Sequence, residues 1–452
     1  MKLAHMDRKD FIKASSLIIA AEMLLPDMSC TTDKKTTIRN NWAGNYSYKA
    51  PNIHEPKSVE ELQELVKKAG KQKALGSRHC FNDIADSPQT QISTRALNRI
   101  IALDKAKNTI NIEAGIRYGD FAKELDKEGY ALHNLASLPH ITVAGACATA
   151  THGSGVTLGN LATAVAAMEI VTPQGEIVQI ERSHPDFNGL VVGLGAFGIV
   201  TKVVLAMQKT FQVRQDVFQE LPLASMEKHF DEIMSSGYSV SLFTNWLDQK
   251  ISQVWVKRRT DTAIRELGND FFGAKAASKN LHPIVEMSAE NCTEQMGAPG
   301  PWYERLPHFK MGFTPSGGKE LQSEFFVPHN NAVDAILALE KKKDLINPQL
   351  LISEIRTIKA DDLWMSPCYH QDSVAIHFTW KQNPDEVGKL IPMIESELAP
   401  YKVKPHWGKL FTIEPKILHQ RYEKFSDFLA LVKKYDPDGK FRNAYLDLNI
   451  YS

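Results

Sequence analysis

Residues 137–164, SLPHITVAGACATATHGSGVTLGNLATA, constrain the fold of this chain more than any other segment. Four glycines (Gly145, Gly153, Gly155, Gly159) stand among Ala, Ser and Thr, so little side-chain bulk separates the backbone from whatever packs on it. Backbone N–H groups exposed in this way suit phosphate oxygens. The same smallness suits two strands packed tightly together, and on this run alone both readings stand. A second glycine cluster, Gly193-Leu194-Gly195-Ala196-Phe197-Gly198, matches the GxGxxG dinucleotide fingerprint. That fingerprint works when a helix follows and points its amino end at a pyrophosphate. Here the β-branched run Ile199-Val200-Thr201-Lys202-Val203-Val204 follows, a strand pattern that argues against a Rossmann site. Gly153-Ser154-Gly155 lacks the spacing of a nucleophile elbow, so no hydrolase is expected.

The rest of the chain supplies mixed elements. Ser58-Val59-Glu60-Glu61 is a capping-box pattern, and Val59, Leu62, Val66 and Ala69 share the face of the helix it starts, which Gly70 ends. Ala74-Leu75 reads as a short strand running into a loop, 76–82. Strands are expected at 110–114, 164–171 and 176–180, and a helix at 118–127. Beyond residue 210 longer strands are expected at 239–246, 253–256, 350–357 and 374–380, with helices at 331–341 and 384–397. A chain of 452 residues exceeds what one hydrophobic core usually supports. The expected fold is therefore α+β in two domains, the second built on an antiparallel sheet. Its parts are a leader at 1–36, a first domain at 37–210, a second at 211–410, and a return to the first at 411–452.

Charge and cysteines narrow the function. Lys plus Arg and Asp plus Glu both total 53, so nothing points to nucleic acid or an anionic membrane. The five cysteines are scattered without CxxC spacing, and the His and carboxylate residues lack metal-ligand intervals, so neither disulfides nor a metal site are expected. A basic segment, Arg8-Lys9-Asp10-Phe11-Ile12-Lys13, precedes a mostly apolar run at 14–26, which reads as an export signal of twin-arginine type. The alternative is a short terminal helix on a cytoplasmic protein. No stretch reaches the ~18 apolar residues of a spanning helix.

The loop Gly76-Ser77-Arg78-His79-Cys80-Phe81-Asn82, followed some distance on by the small-residue run, resembles the FAD domain of the vanillyl-alcohol-oxidase superfamily, of PCMH type. Within it the chain is most similar to the alditol oxidases, including the xylitol-oxidising ones, with the aldonolactone oxidases as neighbours. The likeness extends from about residue 41 to the carboxyl terminus. It implies FAD, joined covalently through its 8α carbon to His79. It implies cofactor contacts from Gly76, Ser77, Arg78, Cys80 and Phe81 around that histidine. Further contacts are implied from Ser137, Gly145, Thr149, Thr151, His152, Gly153, Gly155 and Asn160 in the small-residue run, and from Ile199 and Val200.

On the substrate side, Glu354 and Arg356 lie two apart on an expected strand and so share a face, as do His377 and Thr379 on the next. A carboxylate and a guanidinium side by side can bind vicinal hydroxyls, one accepting and one donating. By resemblance, Ser137, Glu354, Arg356, Thr379 and Lys409 line a polyol pocket, with His377 as a further candidate. Lys409 is expected as base or hydroxyl-positioning group, its pKa depressed by burial and by Arg356; Arg356 as stabiliser of an alkoxide; Glu354 as substrate anchor. The expected reaction takes a primary alcohol to an aldehyde and oxygen to hydrogen peroxide. The alternatives are an aldonolactone or sugar oxidase, a dehydrogenase with another electron acceptor, or a carbohydrate-binding protein with an inactive flavin fold.

Overall fold

A computed structural model describes residues 39–262, 267–312 and 319–452. The leader, with its Cys30, lies outside the described residues.

The first part of the chain is built on two main sheets. Three short strands, Asn52–His54, Thr90–Ser93 and Gln72–Leu75, pair in parallel in that order. Five antiparallel strands follow the order Ile100–Asp104, Thr109–Glu113, Ile199–Ala206, Val165–Val171, Ile177–Glu181. The helix Val59–Lys68 starts where the capping pattern placed it, with Ser58 Oγ accepting from the Glu61 N–H at 3.2 Å. Glu61 reaches back one residue further than expected, to the Lys57 N–H at 2.8 Å. The helix buries Leu62 and Val66 against Ile92, Leu97, Val171, Ile199 and Phe441. As the β-branched run required, the chain leaves Gly198 as a strand, Ile199–Ala206, rather than a helix.

A ten-stranded sheet takes over from Gln212–Pro222 onward, and every pair in it is antiparallel. Its centre runs Lys250–Arg259, Ser239–Thr244, Leu350–Ile358, Ser373–Lys381, Glu320–Pro328. Helices Ala332–Glu340 and Pro384–Leu398 pack on one face of it. Beneath them Leu321, Phe325, Ile355, Ile376, Phe378 and Trp380 are all at most 1% exposed, so that face is a full hydrophobic core. The opposite face carries charge, and the site lies there.

The carboxyl-terminal segment ties the ends together. Gln72 N–H donates to Lys440 O at 2.9 Å. Asn443 Nδ2 donates to the carbonyls of Asp83, Ile84 and Asp86. Residues just past the cofactor loop are thus braced by residues more than 350 positions away.

Candidate active site

The loop 76–80 leaves the strand Gln72–Leu75 and crosses the start of the short helix Val143–Ala148. Gly76 is required there: a Cβ on it would come within 2.4 Å of Thr142 Oγ1. Ser77 Oγ accepts the Thr142 N–H at 3.1 Å and locks the crossing. Arg78 takes a left-handed backbone, φ 63°. Among the described residues the N–H groups of Gly76, Ser77, Arg78, His79 and Cys80 donate to nothing. Five successive open donors on a wall of small residues form an anion-binding concavity of the kind a pyrophosphate fills.

These residues line a cavity of about 310 Å³. His79 sits in its wall, stacked on Trp42 with ring centroids 4.9 Å apart and planes 24° from parallel. Burial, then the Lys409 ammonium, pushes the His79 pKa down to about 3, so its ring is neutral and carries a free lone pair. Asn41 and Asn45 hold the loop from outside through the carbonyls of Cys80 and Phe81. From within, Asn82 Nδ2 donates to the carbonyls of Trp407 and Lys409, both at 2.8 Å. That clasp brings His79 and Lys409 to one wall.

The substrate side is set by strand register. Phe243 pairs with Glu354, Glu354 with His377, and His377 with Glu324, so these four stand in one row across the sheet. Ile352, Thr379 and Gln322 form the next row. Because side chains alternate along a strand, Ile352, Glu354 and Arg356 face the cavity together, as do Glu320, Gln322 and Glu324. Arg356 is the hub. Its Nη1 donates to Ser137 Oγ at 3.3 Å, its Nη2 to Glu324 Oε1 at 2.8 Å, and its Nε lies 3.6 Å from Glu354 Oε1. Burial alone would raise both carboxyl pKa values. For Glu354 the Arg356 guanidinium and then His308 reverse that, and for Glu324 His152 and then Arg356 do. Both end well below the ordinary range, so both are carboxylates.

Lys409 hangs over the Phe81 ring, its Nζ 4.9 Å from the centroid, and donates to Gln322 Oε1. Its pKa is lowered by the two expected causes, burial and Arg356, of very unequal weight. Burial dominates; Glu324 and Glu320 oppose it, and Arg356 contributes less than either. Gln322 is held on both sides, since its Oε1 is also 3.1 Å from His377 Nε2 and its Nε2 donates to Glu320. Burial pushes the His377 pKa down to about 3.

All six expected substrate-side residues line the cavity: Ser137, Glu354, Arg356, His377, Thr379 and Lys409. Of the expected cofactor contacts, the loop 76–81, Gly145, Thr149, Thr151, His152 and Val200 line it too. His152 faces Glu324, with Nε2 3.1 Å from Oε1, so it belongs with the carboxylates of the sheet. Four expected residues lie elsewhere. Gly153 is pressed against Asn134 and the Leu135 carbonyl, which a Cβ would meet at 2.3 and 2.5 Å. Gly155 N–H donates to Thr357 O at 2.8 Å, which welds the small-residue run to the sheet. Asn160 caps a short helical turn and donates to Asp361 Oδ2 at 2.7 Å. Ile199 points into the core cluster, because strand alternation sends it and Val200 to opposite faces.

Sequence reading missed Glu320, Gln322 and Glu324, although their alternation with Leu321, Ser323 and Phe325 was there to find. It also missed Lys73, whose buried ammonium donates to the carbonyls of Leu194 and Gly195 at 3.2 and 2.8 Å. The GxGxxG turn therefore does border the cavity, held by a lysine on the strand that leads to the cofactor loop.

Comparison with known proteins decides the family. The alditol oxidase of a Streptomyces species is 43% identical over 414 residues, which cover 91% of this chain and 98% of that protein. This chain belongs to the alditol oxidase family. It is a flavin-dependent oxidoreductase. Residues 51–181 match the family described as FAD binding domain, and residues 318–449 the one described as D-arabinono-1,4-lactone oxidase. The L-gulonolactone oxidase of Bos taurus is more distant, 27% identical over 91% of this chain and 98% of its own. Among solved structures, cholesterol oxidase from B. sterolicum superimposes with a TM-score of 0.74 at 13% identity, covering 94% of this chain and all of that one. At that identity the likeness speaks to the fold alone, an FAD-binding part joined to a second domain on an antiparallel sheet.

Proposed function

We propose that the chain oxidises a primary hydroxyl of a small polyol of the xylitol or sorbitol kind to the aldehyde, with oxygen reduced to hydrogen peroxide. One observation carries the reading: the cavity walled by the His79 loop is walled on its other side by Glu354, Arg356, Thr379 and Lys409. FAD, when bound, supplies the hydride acceptor. Glu354 accepts a hydrogen bond from one substrate hydroxyl while Arg356 and Ser137 donate to its neighbour. Lys409, which burial favours as the neutral amine, takes the proton of the reacting hydroxyl in that form and becomes the ammonium. Arg356 stabilises the negative charge that develops on that oxygen. The sheet face and the loop together exclude bulk water from these groups.

His79 is proposed as the covalent attachment point, supported by its neutral ring and by the Trp42 stack that holds it in the cavity wall. The leader is proposed to direct export of the folded, FAD-loaded protein, and its appearance in the exported fraction checks that.

Anaerobic mixing of the yellow protein with a panel of polyols and aldonolactones tests the main reading. Bleaching by xylitol or sorbitol, with peroxide on readmission of air, is expected. Bleaching by lactones alone would transfer the protein to the reaction named for the family matched by residues 318–449. Flavin that stays with acid-precipitated protein is expected from the covalent link; full release of the flavin would exclude it.

A further inference from the structure

Behind Glu354 lies a buried relay that none of the proposed chemistry uses. Lys257, on the strand Lys250–Arg259, is 1% exposed. Its Nζ donates to Leu306 O at 2.5 Å and Pro307 O at 3.2 Å and lies 3.0 Å from His308 Nδ1. Burial pulls its pKa down to about 7, so the His308 tautomer is read from the other ring nitrogen. The His308 ring is boxed edge-on by Phe243 and Trp255, with centroids 5.4 and 5.2 Å away. Burial, then Lys257, pushes the His308 pKa down to about 4, so the ring is neutral and bears one proton. That proton sits on Nε2, which lies 2.7 Å from Glu354 Oε1, because an ionised carboxylate only accepts.

Glu354 Oε1 is thereby taken by His308 and Arg356. Oε2 accepts from no described residue and is the oxygen left for a ligand. The same segment grips the opposite wall, since the N–H groups of His308 and Phe309 donate to Ser137 O at 3.0 and 3.3 Å. Thr293 secures the segment from behind, its Oγ1 donating to Pro307 O at 2.7 Å.

We infer that His308 is a positioning residue: its Nε2–H fixes the rotamer and free oxygen of Glu354 while its backbone fixes Ser137, so one buried segment sets the spacing of two substrate-binding groups. This rests on the reading of Glu354 as substrate anchor. Two neutral polar replacements separate positioning from packing. In His308→Gln the amide nitrogen reaches about where Nε2 was and still donates to Glu354; in His308→Asn it stops short, near the Nδ1 position.

His308→Asn is expected to raise KM for the polyol on the order of 10- to 100-fold, the worth of a hydrogen bond to a charged group, with limiting flavin reduction changed by less than about threefold. His308→Gln is expected to stay within about threefold of the unaltered protein in both. Equal KM values for the two variants, or two variants matching the unaltered protein, overturn the inference. Should neither variant load FAD, neutron diffraction from the unaltered holoprotein decides: a deuteron on His308 Nε2 supports the assignment and one on Nδ1 refutes it. That proton position reads the relay directly, even if no polyol bleaches the flavin and the proposed substrate falls.

Discussion

Along the wall formed by residues 76–80, the groups that meet the cavity are open backbone N–H donors and the His79 ring. Along the facing sheet they are Glu320, Gln322, Glu324, Glu354, Arg356 and His377, whose backbones are consumed by strand pairing. The first wall recognises a ligand by shape and by many weak donors that any small residue would provide. The second recognises by side-chain identity, and it must keep several charges out of water. Buried carboxylates are tolerable only when paired, and Glu324 and Glu354 have specific partners: Arg356 for both, His308 for Glu354, His152 for Glu324. The two walls should therefore fail in different ways, the loop by losing cofactor and the sheet by losing turnover with cofactor in place.

The largest effect separating them is expected from Lys409→Met. It should cut the rate of flavin reduction by about 10²–10⁴-fold, the usual worth of a positioned base, while FAD content stays unchanged. Normal flavin reduction in stopped flow would remove Lys409 from the chemistry. Next, Arg356→Leu strips two buried carboxylates of their shared counter-charge and should cost about 3–5 kcal/mol of stability, read by urea unfolding. A loss no larger than that of an exposed arginine would break the contrast between the walls.

On the loop side, Gly76→Val forces a side chain against Thr142. It should cost about 1–3 kcal/mol and lower the FAD-to-protein absorbance ratio, while any flavin that does bind is reduced at an undiminished limiting rate. Full FAD occupancy in this variant would show that the loop has more slack than its geometry allows.

The most diffuse effect, spread over several groups, is in pH. Burial depresses the pKa values of His377 and His406 to about 3 and of His308 to about 4. Each is neutral when folded and gains a proton on unfolding below its ordinary value of about 6.5. Their stabilising contribution is thus whole above that pH. It falls by roughly 1.4 kcal/mol per pH unit for each group as pH drops toward the folded values. Glu354 and Glu324, also held low, act in the same direction at lower pH: their contribution is whole above the usual carboxylate pKa and is lost progressively as pH falls below it. Urea midpoints that stay level between neutrality and pH ~4.5 would contradict the burial of the histidines.

The two walls also differed in how readable they were. Glu354 with Arg356, and His377 with Thr379, could be placed on common faces because strand alternation is a local rule. The row Glu320, Gln322, Glu324 obeys the same rule, yet Glu in a strand ordinarily signals a solvent face. Only Arg356, His152 and His377, brought in from other segments, make that face an interior. In the small-residue run, composition marked a close approach of backbone without saying to what. Gly145, Thr149 and Thr151 line the cavity, whereas Gly153 and Gly155 pack against Asn134 and Thr357.

Sequence alone determined the kinds of element, the glycine at position 76, the rejection of a Rossmann turn, and which residues of a strand travel together. Those are consequences of backbone sterics and of periods two and 3.6, which act over a few neighbours. Tertiary structure decided which face became a charged interior, which oxygen of Glu354 is left open, and that Lys257, His308 and Lys409 converge on one site. Such outcomes depend on desolvation and on pairing between groups far apart in the chain, where free energy is set by three-dimensional neighbours and not by sequence ones.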